Sequence, residues 1–512
     1  MIQTPNSQPM ASLSITLIRI PLLIIASLAS ISLLAQDEPT VLGDEVILDF
    51  DAAFFPEDSS NDSSDELVFD DPFASVFDAP FDDSAASSQD RNSNTPEWLS
   101  GFTVKLTQQI LFQTKTHDVN LRIPQGPVIT VPHEADVETN RLAANVRYQF
   151  AFAPGWLLQA SGFARVFLHD DYEFEALDKG FDTEFRLNEF FIQRSFDQHS
   201  VKLGNQTVVW GEVDGNSVLD VINVTEFRDF SIIDIEDARL NQPMLVWDYF
   251  GDRFGERSRL STFVTLYPEY NPPIVRGSPF FVEPAFNITD YKRTASLEFE
   301  GGMRWSRSFE GSDIALMAAY LIENQLSYSN PAELGQDALS TNNAFSLVGF
   351  SANRALGNLL LNLDVAYSRG ILVNNLNIPG VAAAEGARST RNQLGTSVGV
   401  EYAINNEQNI ALSVQLAKPL AGKAQTPIQE ESTGAWLMRY SNSLMNGDLA
   451  LALGMQGDIH GEFTILQASA DRTLNDRWAM GLNLILLDGV ETSPISLFAG
   501  DIRLGFNLTY SF

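Results

Sequence analysis

The sequence predicts an all-β fold: a transmembrane antiparallel β-barrel of about 18 strands (16 to 18), preceded by a disordered acidic N-terminal segment. Three observations lead there. Apolar and polar residues alternate with a period of two in segment after segment from Trp98 to Phe512. No stretch beyond residue 35 is apolar over the length a membrane helix needs. Long and short connections alternate between the strand-like segments. Period-two alternation gives a strand one apolar and one polar face, and a strand of about ten residues crosses a bilayer at a tilt. Alternating connection lengths are the layout of barrels with short periplasmic turns and long outer loops.

The N-terminal region reads as an address followed by a spacer. Arg19 precedes "IPLLIIASLASISLLA", a run of secretory length followed at once by "QDE", so residues 1–35 read as a signal peptide cleaved near Ala35. Residues 36–95 carry 17 Asp and Glu against one basic residue, Arg91, out of a formal net charge of -34 for the chain. Segment 36–97 therefore cannot bury enough apolar surface to offset its ordering entropy, and reads as disordered and periplasmic. Within it, Phe69–Phe73 and Phe77–Phe81 repeat an F-D-x-P-F unit. This is either part of a soluble acidic spacer or, over residues 66–83, a linear motif for a periplasmic or inner-membrane partner.

Composition excludes several classes. The absence of cysteine removes disulfides and thiolate metal sites. The five histidines, His117, His133, His169, His199 and His460, show no metal-ligand spacing, so neither a metal nor a cofactor is expected. The negative charge opposes nucleic-acid binding.

From Trp98 onward, residues 98–512 read as the barrel, in the bacterial outer membrane. "FTVKLTQQIL" sets Phe102, Val104, Leu106 and Ile110 against Thr103, Lys105, Thr107 and Gln109. The same faces recur at Val146–Phe152, at Leu297, Phe299, Met303 and Trp305, at Leu359–Tyr367, at Leu449–Met455 and at Trp478–Leu484. "QPMLVWDYF" is the weakest of the strand-like segments, and "DIHGE" is a tight turn where a long loop is due. The last strand alternates Ile502, Leu504, Phe506, Leu508, Tyr510 and Phe512 with polar or small residues. Its end resembles the C-terminal assembly signal of outer-membrane barrels, carried here by Phe506, Leu508, Tyr510 and Phe512. The expected partners are accordingly outer-membrane lipid and the outer-membrane assembly machinery.

The connection near 211–242 carries the functional expectation. Glu212, Asp214, Asp220, Glu226, Asp229, Asp234, Glu236 and Asp237 are interleaved with Val218, Leu219, Val221, Ile222, Ile232 and Ile233. A solvated outer loop has no use for these apolar residues, so the loop is expected to fold into the lumen. Glu212, Asp214, Asp220, Glu226, Asp229, Asp234 and Asp237 are then candidates for a pore constriction, which would favour cations. The alternative is a lid over the mouth. "LGNQTVVWGEVDGNSVLDVINVTEFRDF" resembles the hallmark segment of the DUF1302 outer-membrane proteins of Gram-negative bacteria, at Gly204, Gln206, Trp210, Gly211, Asp220, Ile222 and Asn223; Val224 stands where that pattern has proline. The resemblance implies an outer-membrane barrel of a family with no established activity, sometimes suspected of taking part in lipid or hydrophobic-compound export. The function expected is an outer-membrane channel or transport barrel; the alternatives are the barrel component of an export or assembly system and, below these, an outer-membrane hydrolase using His169 or His460. An enzyme is not expected.

Overall fold

The computed structural model describes residues 101–122, 128–169, 182–226, 228, 238–251, 257–272, 280, 297–325, 327–328, 340–374, 388–420, 432–490, 493 and 495–512. The expected signal peptide, the acidic segment with its 66–83 motif, and Asp229, Asp234, Glu236 and Asp237 lie outside them.

Eighteen strands form one closed antiparallel sheet. They are β1 (Phe102–Gln113), β2 (Val137–Ala153), β3 (Trp156–His169), β4 (Asp182–Phe196), β5 (His199–Gln206) and β6 (Gln242–Phe250). Next come β7 (Ser258–Thr265), β8 (Glu300–Phe309), β9 (Ser312–Ile322), β10 (Ala344–Leu356), β11 (Leu359–Asn374) and β12 (Arg388–Asn405). The last six are β13 (Gln408–Pro419), β14 (Thr433–Leu444), β15 (Leu449–Asp458), β16 (Phe463–Asn475), β17 (Trp478–Gly489) and β18 (Ile502–Ser511). Each strand pairs with its sequence neighbours, and β1 pairs with β18 from Lys105↔Ser511 to Gln113↔Arg503, which closes the barrel. Closure removes every edge, the condition for a sheet to sit in lipid. The weak "QPMLVWDYF" segment is β6. One expected face is corrected: β8 begins at Glu300, and Leu297, at φ 45°, lies before it in a left-handed bend, so the alternation does not run through that residue.

The two faces of the strands are the two faces of the barrel. Leu203, Phe185, Met303, Leu316, Val348, Val398, Leu412, Leu482 and Leu504 are exposed on the outside, while Thr107, Asp364, Ser397, Arg503 and Asn507 on the opposite face are buried. Apolar outside and polar inside is the pattern of a transmembrane barrel, and the fold is that of a bacterial outer-membrane protein. Connections at one end are short, as at Pro154–Gly155 and Gly357–Asn358, and those at the other are long, except the tight turn Ile459–Glu462 that follows β15. The short end is periplasmic by the rule for such barrels. It carries aromatic contacts facing the interface: Phe102 on Tyr148 at 4.3 Å, Phe152 on Trp156 at 5.7 Å, and Trp478 on Tyr510 at 4.9 Å.

Candidate functional site

A barrel of eighteen strands is too wide for wall side chains alone to fill, and the chain leaving β5 fills part of the space. At the neck of this loop, Val208 donates its N–H to Asn223 Oδ1 at 2.9 Å, and Asn223 Nδ2 donates back to the Val208 carbonyl at 3.0 Å. Val224–Thr225 pairs with Arg239–Leu240, joining the outgoing and returning limbs. Gln242 Nε2 on β6 reaches the Ile222 carbonyl at 2.5 Å, so the neck is tied to the wall it left.

Beyond the neck the loop follows the inner wall. Trp210, Val218, Leu219 and Ile222 are buried in one cluster with Met244 and Val246 of β6, Phe263 of β7, Met317 and Leu321 of β9, and Leu347 of β10. Trp210 stands edge-on to Phe263 at 5.4 Å. Its seat is Gly302 on β8, where a Cβ would lie 2.5 Å from the indole. Burying each such side chain contributes roughly 1.5–3 kcal/mol, which answers why these apolar residues occupy an acidic loop.

The loop is then anchored to β11. Asp364 Oδ2 accepts from the backbone N–H of Val213 at 3.0 Å and from Ser217 Oγ at 2.7 Å, and both its oxygens lie 3.2 Å from the Glu212 N–H. Gly211 permits the approach: a Cβ there would sit 1.8 Å from Ser217 Oγ and 3.1 Å from Asp364 Oδ2. Val218 N–H reaches Ser397 Oγ of β12 at 3.1 Å, and the Asn216 amide meets Ser413 Oγ of β13 at 3.3 Å. The contacts thus run from β6 round to β14, half the circumference.

The acids on the described part of the loop are all ion-paired. Arg304 of β8 donates to Glu212 at 2.5 Å, with Asn353 Nδ2 on its other oxygen at 3.2 Å. Arg439 of β14 pairs with Asp214, and Arg239 with Asp220 at 2.8 Å. Arg228 donates to Glu226 at 2.9 Å and to Glu184 of β4 at 2.7 Å. Burial opposes the ionisation of Glu226, but the Arg228 guanidinium overcomes it and holds the carboxyl down at about 2. The charge of these acids is therefore met locally.

The motif residues divide between the wall and the folded-in loop. Gly204 and Gln206 face the lumen from β5 opposite Met244 and Gln242, and Trp210, Gly211, Asp220, Ile222 and Asn223 make the contacts above. Sequence reasoning missed Asp364, Arg304 and Arg439, which lie far along the chain in ordinary strands. The assembly-signal residues Phe506, Leu508 and Tyr510 pair with Ile110, Gln108 and Leu106 across the closing seam. His460 Nε2 meets the Ser432 backbone carbonyl at 3.0 Å, and the side chain of His169 is outside the described residues.

No protein-family model matches the chain, and no curated protein matches it. Solved structures do. OccAB1 of Acinetobacter baumannii is 8% identical, with 80% of this chain and 96% of that chain covered and a TM-score of 0.45. OmpF of Salmonella typhi, in complex with daunomycin, is 13% identical, covering 80% and 97%, at a TM-score of 0.36. The channel DcaP of Acinetobacter baumannii is 10% identical, covering 80% and 96%, also at 0.36. These are likenesses of fold.

Proposed function

We propose that the protein is an outer-membrane channel whose path runs between the folded-in loop and the wall β1–β5, and that the path favours organic anions with an apolar body. The observation that supports this is the lining of that wall. Register puts Lys105, Arg141, Arg147, Arg165, Arg186 and Lys202 on the same face as the buried Thr107, Ala143 and Phe167. Glu184 and Glu189 face them from β4. Aromatic rings sit among the cations, with the Arg165 guanidinium 3.8 Å from the centroid of Phe163 and Lys202 Nζ 5.7 Å from that of Phe191.

Glu184 pairs with Arg165 at 3.4 Å, yet these six cations outnumber the two acids facing them, and low-dielectric protein focuses the net positive potential into the path. The loop acids opposite, being paired, oppose it weakly. The preference for cations expected from those acids is therefore replaced here by a preference for anions. Reversal potentials in planar bilayers under a low-salt KCl gradient test the reading. Chloride preference is expected, with benzoate more permeant than an inorganic anion of similar mobility; potassium preference would overturn it.

A further inference from the structure

The histidines have no metal-ligand spacing along the sequence, yet the fold brings two of them together with an aspartate. His117 opens and His133 closes a two-stranded ribbon, His117–Arg122 with Val128–His133, in the connection between β1 and β2. The two residues are directly opposite in its register. Residues paired in this way project to one face with Cβ atoms about 5 Å apart, and the two rings stand edge to face with centroids 5.6 Å apart.

That face meets Asp501, in the connection before β18. His133 Nδ1 lies 2.7 Å and His117 Nε2 3.5 Å from Asp501 Oδ1, and the three ligand atoms all lie within 4.8 Å of one another. Asp501 is buried and held in place. Arg503 donates to its Oδ2 from Nε at 3.1 Å and from Nη2 at 2.8 Å, leaving Oδ1 turned toward the histidines with Gln113 Nε2 3.3 Å away. Glu138 lies behind His133, its Oε1 3.9 Å from Nε2. At that distance Glu138 makes no hydrogen bond to the ring and contributes only negative charge beside it.

We propose that His117, His133 and Asp501 form a binding site for a divalent transition-metal ion of the zinc class at the outer mouth of the barrel. Two imidazoles and one carboxylate suit zinc and its neighbours rather than calcium or magnesium. Ligands about 2.0–2.1 Å from a tetrahedral ion are roughly 3.3 Å apart, so the 3.5 Å pair already fits, the 2.7 Å pair must open slightly, and the two histidine nitrogens, within 4.8 Å of each other, must settle to that spacing by ring rotation. Binding displaces any proton on the coordinating nitrogens to solvent, and His117 Nε2 exchanges its 2.9 Å contact with the Ala499 carbonyl for the ion. Asp501 and Glu138 together outweigh the Arg503 charge. The fourth position stays open to water or a solute group.

Such an ion would staple the first outer connection to the last. Beside the three ligands, Leu111, Phe280, Ile495 and Phe498 belong to one buried apolar cluster, with His133 edge-on to Phe498 at 5.9 Å. The metal would fix this side of the mouth.

The test is Zn²⁺ titration of the full folded barrel in detergent after chelator treatment, with Co²⁺ absorption as a second readout. One equivalent bound with micromolar or tighter affinity is expected, with tetrahedral Co²⁺ bands. His117→Ala and His133→Ala should each weaken binding by at least the roughly 10–100-fold that loss of an outer-shell partner causes, while His460→Ala, on another outer turn, should leave it unchanged. Heat-modifiable migration reports that each variant is folded. Absence of stoichiometric binding, or binding indifferent to the His117→Ala/His133→Ala double change, would overturn the proposal and leave an ordinary histidine–aspartate ion pair.

Discussion

At the scale of single residues, Asp364 decides whether the loop stays on the wall. It gathers the Glu212 and Val213 N–H groups and the Ser217 hydroxyl, and hydrogen bonds to a charged acceptor are worth roughly 1.5–3 kcal/mol each. Asp364→Ala should release the loop: single-channel conductance should rise, and protease should cut between 207 and 226, where the wild-type barrel resists. Gly211→Ala should do the same by pushing Ser217 aside. Unchanged conductance in both would mean the loop is held by its apolar cluster alone. Part of this was legible in the sequence, since apolar residues among acids announced burial and the Trp210-Gly211 pair stood out. Asp364 did not, because a lone acid in "LLLNLDVAY" looks like any inward polar position until pairing shows what it faces.

At the scale of elements, the strands were legible because lipid outside and water or protein inside impose a strict period of two, and their partners follow from adjacency. The outer connections were not, since their form depends on contacts between distant segments. Glu323, just past β9, is one such contact. It accepts from the Leu372 N–H at 2.7 Å and from Asn343 at 2.9 Å. Burial outweighs these bonds and raises its carboxyl to about 7. The folded form thus holds a proton that the unfolded chain, with a carboxyl near 4.5, has lost. Stability should fall as pH rises from about 4.5 to about 7, then level off. Glu323→Gln should flatten that part of the profile in denaturant unfolding; an unchanged slope would show that Glu323 does not titrate there. The closing seam is a second element with a clear expectation. Tyr510 pairs with Leu106, and Phe512 N–H donates to the Val104 carbonyl at 3.0 Å. Changing Tyr510 and Phe512 together to serine should lower the heat-modifiable fraction in the outer membrane, whereas wild-type levels would sink the assembly-signal reading.

At the scale of the whole molecule, the formal charge of -34 is a poor guide to the pore, because 17 acids lie in residues 36–95 and the described loop acids are paired with Arg304, Arg439, Arg239 and Arg228. Counting acids in a loop suggests cation selectivity; their arginine partners meet that charge locally, and the proposed anion preference rests on this. Neutralising the acids alone cannot separate the two readings, since Glu212→Gln would favour anions whether it removed a free charge or uncovered Arg304. Removing both members of a pair does separate them. If Glu212 and Arg304 cancel, the Glu212→Gln/Arg304→Gln variant should keep wild-type reversal potentials at low salt, while Lys105→Gln/Arg147→Gln should move selectivity toward cations. The second shift should shrink near 1 M salt, where the screening length is about 3 Å and only ions touching the wall still feel it. A large shift in the first variant and none in the second would return selectivity to the loop acids.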